Sequence, residues 1–395
     1  MNFCMETIQK FCLEMKGIDI VMKKIKILQF PIANSKGGMT RYALENWKWM
    51  DKEKFECDFA TMSKKLDFED EIFATGSKLF YISCYAEENR ERFADEFRRI
   101  LTEGKYDIVH LHTRQWKSFL VEQIAKEMGI KKIIVHAHNA DIGTLDAKRR
   151  REEKILHNYM QEQLTEDVAT EFWSCSWKAA DFIFGDKIPK KKIRIMNNAI
   201  ELSKYVYNSV VREEYRKKLG VSDDEYVIGN VGRLAYQKNQ EFLLKIFYEL
   251  RKNNEKKYKL LLVGSGEREK EYKKFVMENG LENDIIFTGQ REDVSGLLQA
   301  MDLFCLPSRF EGLPISLVEA QASGLPCIVS NLVTEESIMT ENAILLPLDI
   351  NLWKEKIEEY ERTKCRRKNM ECQLMKNGYD IKTQIKIIEK AYMGN

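Results

Sequence analysis

Residues 306–320 read Leu306-Pro307-Ser308-Arg309-Phe310-Glu311-Gly312-Leu313-Pro314-Ile315-Ser316-Leu317-Val318-Glu319-Ala320. The apolar run Leu303 to Leu306 has the length of a buried strand, and its tip delivers Glu311. A Gly-Leu-Pro turn follows, and a helix is expected from near Ile315, carrying Glu319. Strand, turn and helix in that order form half of a crossover unit, the building block of a parallel sheet. If the whole stretch were helical, the eight steps from Glu311 to Glu319 would span roughly 12 Å. Paired carboxylates of a hydrolase stand only ~5–9.5 Å apart. The two acids therefore suit two parts of one extended ligand, a sugar end at Glu311 and a ribose diol at Glu319. On this pair alone, a turn-capping Glu and a solvated helix Glu would be the preferred account.

The pattern around this stretch repeats it. Short apolar runs occur at Ile25–Phe30, Phe55–Thr61, Leu79–Ser83, Asp107–His112, Lys132–His138, Phe172–Ser176 and Lys192–Asn197, and helical patterns such as Met39–Met50, Glu88–Thr102 and Ser118–Met128 separate them. After a charged segment near Glu201 to Asp224 the alternation restarts with Tyr226–Val231, Leu260–Val263, Asp284–Thr288, Leu303–Leu306, Pro326–Ser330 and Ile344–Leu348. The last 45 residues show only helical, charged patterning. The fold class is thus α/β, two doubly wound parallel sheets facing a cleft. Expected divisions are an extension over 1–22, a first domain over 23–200, a second over 201–375, and a final helix over 376–395.

Composition narrows the function classes. The chain has 395 residues, 44% hydrophobic and 32% charged, with a net charge of +2. That suits two ordinary globular cores and speaks against a dedicated nucleic-acid binder, which carries a basic excess. No run reaches the ~18–20 apolar residues of a spanning helix. Lys10, Glu14 and Lys16 interrupt any signal-peptide core, so a cytoplasmic location is expected. Nine cysteines, an odd number with no C-x-x-C spacing, read as reduced thiols, with Cys57, Cys175, Cys305 and Cys327 in apolar runs.

In open parallel sheets the ligand lies beyond the carboxyl ends of the strands, so the strand-to-helix turns carry the chemistry. After the first strand comes Gly37-Gly38, a pair that lets backbone N–H groups approach an anion or sugar, or simply reverses the chain. Strands four and five end in His110-Leu-His112-Thr113-Arg114 and His136-Ala-His138-Asn139. Alternation puts each histidine pair on one face. His110 and His136 read as core, His112 and His138 as strand-tip groups, and no ligand spacing recommends a metal. Gly232-Arg233 with Lys238 offers a fork and a point charge for a diphosphate; two solvated cations are the plain alternative. Gly264-Ser-Gly266 opens like a dinucleotide fingerprint, but Glu269 occupies its third glycine position, disfavouring a dehydrogenase.

Together these turns resemble the family-4 retaining glycosyltransferases of GT-B fold. The resemblance rests on Gly232-Arg233…Lys238, Gly264-Ser-Gly266, Phe287-Thr-Gly289…Asp293-Val294, Asp302…Pro307-Ser308-x-x-Glu311-Gly312-Leu313-Pro314 and Glu319-Ala-x-Ala-x-Gly324-x-Pro326. Gly37-Gly38, Asp107-x-x-His110-x-His112, His136-Ala-His138-Asn139 and Ile195-Met-Asn-Asn198-Ala-Ile resemble its capsular and exopolysaccharide branch. The resemblance implies two Rossmann-like domains and a nucleotide-sugar donor, UDP by preference, held mainly on the second. Arg233 and Lys238 would bind the diphosphate, Glu319 the ribose, and Glu311 the transferred sugar. Gly312, Leu313, Pro314 and Ile315 would meet sugar hydroxyls, Gln290 and Arg291 would flank the base, and His138 would lie near the sugar's 6-position. His112, Arg114 and Asn139 are acceptor-side candidates.

The acceptor implied is a glycan or polyprenyl-diphosphate-linked oligosaccharide, with neither cofactor nor metal. The run Lys148-Arg-Arg-Arg151 suits an anionic acceptor or membrane surface, or a solvated helix face paired with Glu152 and Glu153. Peripheral contact with the inner membrane face follows from the first of these. Rivals on the same fold are a nucleotide-sugar epimerase, an inverting transferase, and a non-catalytic nucleotide-sugar-binding subunit of an assembly complex.

Overall fold

The structure is a computed structural model that describes residues 23–34, 37–252, 257–364 and 366–394. The expected extension over 1–22 lies outside the described residues. Two parallel sheets organise the chain. The first contains β1 (Ile25–Ile32), β2 (Phe55–Thr61), β3 (Leu79–Tyr81), β4 (Ile108–Thr113), β5 (Lys132–Ala137), β6 (Glu171–Ser174) and β7 (Ile193–Ile195), in the order β3-β2-β1-β4-β5-β6-β7. The second contains β8 (Tyr226–Val231), β9 (Tyr258–Val263), β10 (Ile285–Gly289), β11 (Leu303–Leu306), β12 (Cys327–Ser330) and β13 (Ala343–Leu346), in the order β10-β9-β8-β11-β12-β13. In both, the order reverses beside the first strand of the sheet, where β1 meets β4 and β8 meets β11. Such a switch point opens a crevice at the carboxyl ends of the strands.

Sheets covered by helices on both faces need strands apolar on both faces, and β9 and β12 are of that kind. β4 and β5 are not. One face, with Val109, Leu111, Val135 and Ala137, joins the apolar core, while the other carries His110, His112 and His136. Helix Gly38–Trp49 covers that polar face, with Tyr42 buried against the rings. The last helix, Ile381–Met393, packs Ile385, Ile388, Ala391 and Tyr392 into the same core as Phe55, Ile108 and Trp173 of the first sheet.

The charged segment after Glu201 contains a helix, Ser209–Leu219, that its polarity conceals. Asn208 caps it by accepting from the amides of Val210 and Val211, and Arg216, almost wholly buried, reaches Asp302 at 3.2 Å. An ion pair, beside the packing of Tyr215 and Leu219 on the core, fastens this helix. Among the described residues, no helix is long and apolar enough to cross a membrane.

Candidate active site

The carboxyl ends of the two sheets enclose a cleft of about 1860 Å³. That exceeds the ~300–1,000 Å³ of a single small-molecule pocket and leaves room for two substrates. From the first half, Gly37, Gly38, His112, Arg114, His138 and Asn139 line it. From the second come Gly232, Arg233, Lys238, Gly264, Gly266, Gln290, Arg291 and the run Glu311 to Ile315. Every residue nominated from the sequence therefore reaches one cavity except Glu319, which lies behind its wall.

Three cations, Arg233, Arg114 and Lys238, line the cleft beside Glu311. Arg233, at the tip of β8, is exposed to the cleft and makes no ion pair among the described residues. Arg114, exposed after β4, faces it from the other half. Desolvation and then the positive charge of Arg233 lower the pKa of Arg114. Two guanidiniums that repel one another across a gap make that gap a place for an anion. Lys238 stands 2.7 Å from Oε1 of Glu311, off the line of a good hydrogen bond, while Gln237 donates to Oε2 at 3.0 Å. An ammonium has three N–H donors, so Lys238 can hold Glu311 and an anionic oxygen at once. Arg291, by contrast, is committed to Asp293 at 2.6 Å.

Glu319 is fully buried on helix Ile315–Ala322. Arg41, from the opposite half, donates to its Oε1 at 2.5 Å, and the Tyr205 hydroxyl donates to the same oxygen at 2.7 Å. The carboxylate raises the pKa of Arg41, locking in its charge. Oε2 of Glu319 is buried without a partner, the one acceptor of this acid open to a further donor. Arg41 and Tyr205 were not singled out in the sequence. The available signal was a cation one turn into the helix that follows Gly37-Gly38.

The glycines serve backbone packing as much as ligand approach. A Cβ on Gly264 would stand 2.2 Å from the Gly232 carbonyl oxygen, and one on Gly266 would stand 2.3 Å from that of Leu234. Gly264 also has φ +132°, which disfavours side chains. The Glu311–Ile315 loop is locked to the first half. Ser176 Oγ donates to the Gly312 carbonyl at 2.8 Å, and Asn198 Nδ2 donates to the Leu313 carbonyl at 2.7 Å. A Cβ on Gly312 would lie 2.2 Å from the His138 carbonyl oxygen, so only glycine permits this approach.

His112 and His138 line the cleft, but both are nearly buried, and each ring lies against Tyr42. Burial lowers the His112 pKa to about 3 and takes His110, His136 and His138 well below the usual value. Both His112 nitrogens are engaged, one with His138 at 2.9 Å and one with Gln29 at 2.8 Å. An acceptor contact through His112 is therefore indirect. His110, His112 and His136 offer ring nitrogens within 4.8 Å of one another, yet hydrogen bonds to Tyr392, His138, Gln29 and each other already engage these rings.

Glu122 is another residue the sequence did not reveal. It lines the cleft while nearly buried, and desolvation raises its pKa to about 7. Its only signal is an acid within the apolar run Phe119 to Ala125. In the basic run, Lys148 lies 4.0 Å from Glu152 and Arg149 lies 3.0 Å from Glu153. Arg150 turns inward to the Thr144 carbonyl at 2.7 Å and lies 4.0 Å over the Tyr236 ring.

Two parallel sheets with a cleft between their carboxyl ends are the GT-B fold. Residues 36–204 match the family described as Glycosyltransferase Family 4, and residues 211–378 match Glycosyl transferases group 1. This chain belongs to the family-4 glycosyltransferases. It is 28% identical over 376 residues to the putative glycosyltransferase EpsF of Bacillus subtilis, covering 93% of this chain and 96% of that one. It is 25% identical over 317 residues to UDP-Gal:alpha-D-GlcNAc-diphosphoundecaprenol alpha-1,3-galactosyltransferase of Escherichia coli, covering 78% and 80%. In fold it is similar to Anabaena Alr3699/HepE, solved in complex with UDP and glucose, with a TM-score of 0.74 and 18% identity over 94% of this chain and all of that one.

Proposed function

We propose that this glycosyltransferase moves a sugar, with its anomeric configuration kept, from a UDP-sugar to a lipid-linked glycan acceptor in surface polysaccharide synthesis. The observation that carries this reading is Lys238 at 2.7 Å from Glu311 in a cleft that Arg233 and Arg114 also line, large enough for donor and acceptor together. The similar chains support its particulars. One is named for transfer from UDP-Gal to a diphosphoundecaprenol-linked sugar, and the similar fold holds UDP and glucose.

As the bond from the anomeric carbon to the leaving oxygen breaks, negative charge grows on the diphosphate. Arg233 and Lys238 stabilise it there, and cations aimed at developing charge are worth several kcal/mol in a site that excludes water. Glu311, held by Lys238 and Gln237, is fixed to accept from sugar hydroxyls. Glu319 serves the ribose side indirectly, from behind the wall, by fixing Arg41 and Tyr205, which both line the cleft. The acceptor hydroxyl attacks the face the nucleotide leaves, through an oxocarbenium-like state, and its proton passes to the departing phosphate oxygen.

The membrane side of the proposal rests on helix Ala147–Glu162, which borders the cleft through Arg149 and Leu156. It exposes Ile155, Leu156 and Tyr159 near Lys148 and Arg151, a mixture suited to an anionic lipid surface. Flotation with vesicles containing anionic lipid tests it: salt-sensitive binding is expected, and no binding at low salt would remove it.

The central experiment is a thermal-shift screen over nucleoside diphosphate sugars, followed by NMR of the product anomer. A donor at a hundred times its Kd stabilises by about 2.7 kcal/mol. A UDP-sugar is expected to raise Tm and to give product with the donor's anomeric configuration. No shift with any such sugar overturns the donor, and an inverted anomer overturns retention.

A further inference from the structure

The polar face of β1, β4 and β5 carries a single file of hydrogen bonds that runs from the cleft to Tyr392 of the last helix and back to His136 of β5. His138 Nε2 meets His112 Nδ1 at 2.9 Å, and His112 Nε2 meets Gln29 Oε1 at 2.8 Å. Gln29 Nε2 then donates to the Tyr392 hydroxyl at 3.2 Å. That hydroxyl meets His110 Nδ1 at 2.7 Å, and His110 Nε2 meets His136 Nδ1 at 3.1 Å. All six side chains are at most 8% exposed.

Counting protons along the file gives it a direction. A buried imidazole held neutral has one N–H and one bare nitrogen. The Gln29 carbonyl only accepts, so His112 carries its proton on Nε2 and leaves Nδ1 bare. His138 must then donate from Nε2, and its own Nδ1 is bare. On the other side the Tyr392 oxygen accepts from the Gln29 amide and gives its one proton to His110 Nδ1. His110 donates from Nε2 to His136 Nδ1, which leaves the last proton on His136 Nε2. That nitrogen is the one ring nitrogen of the file that is buried without a partner, and its ring stands edgewise to Tyr42, centroids 4.8 Å apart at 88°. The file thus begins at a bare nitrogen in the residue that lines the cleft, and ends against an aromatic ring.

We propose that Tyr392 is a positioning residue of the active site. Through Gln29 and His112 it fixes His138 as the Nε2–H tautomer, so that Nδ1 meets the bound sugar only as a hydrogen-bond acceptor. The identity of that ligand rests on the proposed function; the tautomer does not. The last helix therefore does more than close the first core: its final turn sets the hydrogen-bonding character of a cleft residue on another element.

Long-range ¹H–¹⁵N correlation on the full chain with ¹⁵N-labelled histidine reads the tautomers directly, with no substrate present. Nε2–H is expected for His138, His112, His110 and His136, and a proton on His138 Nδ1 overturns the proposal. Tyr392→Phe keeps the ring stacked on Trp173, whose centroid is 5.6 Å away, and removes only the oxygen that joins the two halves of the file. Mixed tautomers at His112 and His138 are expected, with a fall of about tenfold in kcat/KM for the sugar donor, the worth of one hydrogen bond. A folded variant whose histidine signals and kinetics match the parent overturns the positioning role. If the Nε2–H pattern is found but no nucleotide sugar moves the His138 signals, the relay stands and the donor assignment fails.

Discussion

Arg41 donates to Oε1 of Glu319 at 2.5 Å and so ties the helix after the first glycine loop to the helix after Glu311. The acid is wholly buried and the arginine is 31% exposed, so the pair is sealed on one side and reachable on the other. Removing one partner of a buried pair strands the remaining charge, at a cost of about 3 kcal/mol or more. Arg41→Ala should therefore lower stability by about that amount, read as the urea midpoint at unchanged slope. Combining it with Glu319→Gln should recover part of the loss. A double variant no better than Arg41→Ala would show that the two side chains do not depend on one another.

Glu319→Gln alone tests the donor side of the same pair. Glutamine keeps the volume and an acceptor oxygen but loses the charge that holds Arg41. Calorimetric titration with a uridine nucleotide is expected to show binding weakened about tenfold or more. An unchanged Kd would remove Glu319 from the donor site.

Arg233→Ala changes an exposed side chain with no ion pair among the described residues, so its effect on Tm should be within about 0.5 kcal/mol equivalent. Turnover should fall by a hundredfold or more, because loss of a charge-stabilising donor costs about 2.7–4 kcal/mol of barrier. Steady-state kinetics beside a melting curve make the comparison. Near-parental turnover would place the leaving group elsewhere.

Gly312→Ala tests how the halves meet. Its methyl would be forced to 2.2 Å from the His138 carbonyl oxygen and 2.9 Å from Cys175 Sγ. Overpacking of this kind costs about 1–3 kcal/mol. The Ser176–Gly312 and Asn198–Leu313 bonds would also stretch. A larger radius of gyration in small-angle scattering and a loss of activity are the expected outcomes.

Glu122 gives the protein a pH signature. Its folded pKa, raised to about 7 by burial, exceeds the ~4.3 of an exposed glutamate. Between these values the unfolded chain has released its proton while the folded chain keeps it, so the contribution of Glu122 is full below about pH 4 and is lost as pH rises through 7. Glu122→Gln removes that term. The variant should be more stable than the parent at pH 8, by on the order of 3 kcal/mol at most, and nearly equal to it at pH 4–5. The histidine file acts in the opposite sense. Its folded pKa values lie below 6.5, so its contribution is present above pH 6.5 and is lost as pH falls.

How far the sequence could be read followed from the range of each interaction. The strands were legible because their apolar runs are set by covering helices, and the cleft because parallel sheets bind ligands at one end. Arg233, Lys238 and Glu311 stood out because each lies at a strand-to-helix turn. Helix Ser209–Leu219 was hidden because much of its anchoring comes from Arg212 and Arg216 on Asp302, with only Tyr215 and Leu219 packed on the core. The Arg41–Glu319 pair was hidden by 278 residues of separation, and the Tyr392–His110 bond by 282. The histidines were assigned to one face correctly, but the position of His112 at a strand tip did not reveal that both of its nitrogens are spoken for.

The crossing of the last helix has a bearing on how the chain is made. Synthesis delivers the first half early, yet Ile385, Ile388, Ala391 and Tyr392, which finish its core, emerge only after the whole second sheet has been made. Until then a nascent chain carries an apolar seam beside Phe55 and Trp173 that nothing local can seal. Chains terminated before Ile385 are thus expected to recruit chaperones and proteases through their amino-terminal half, far from the break.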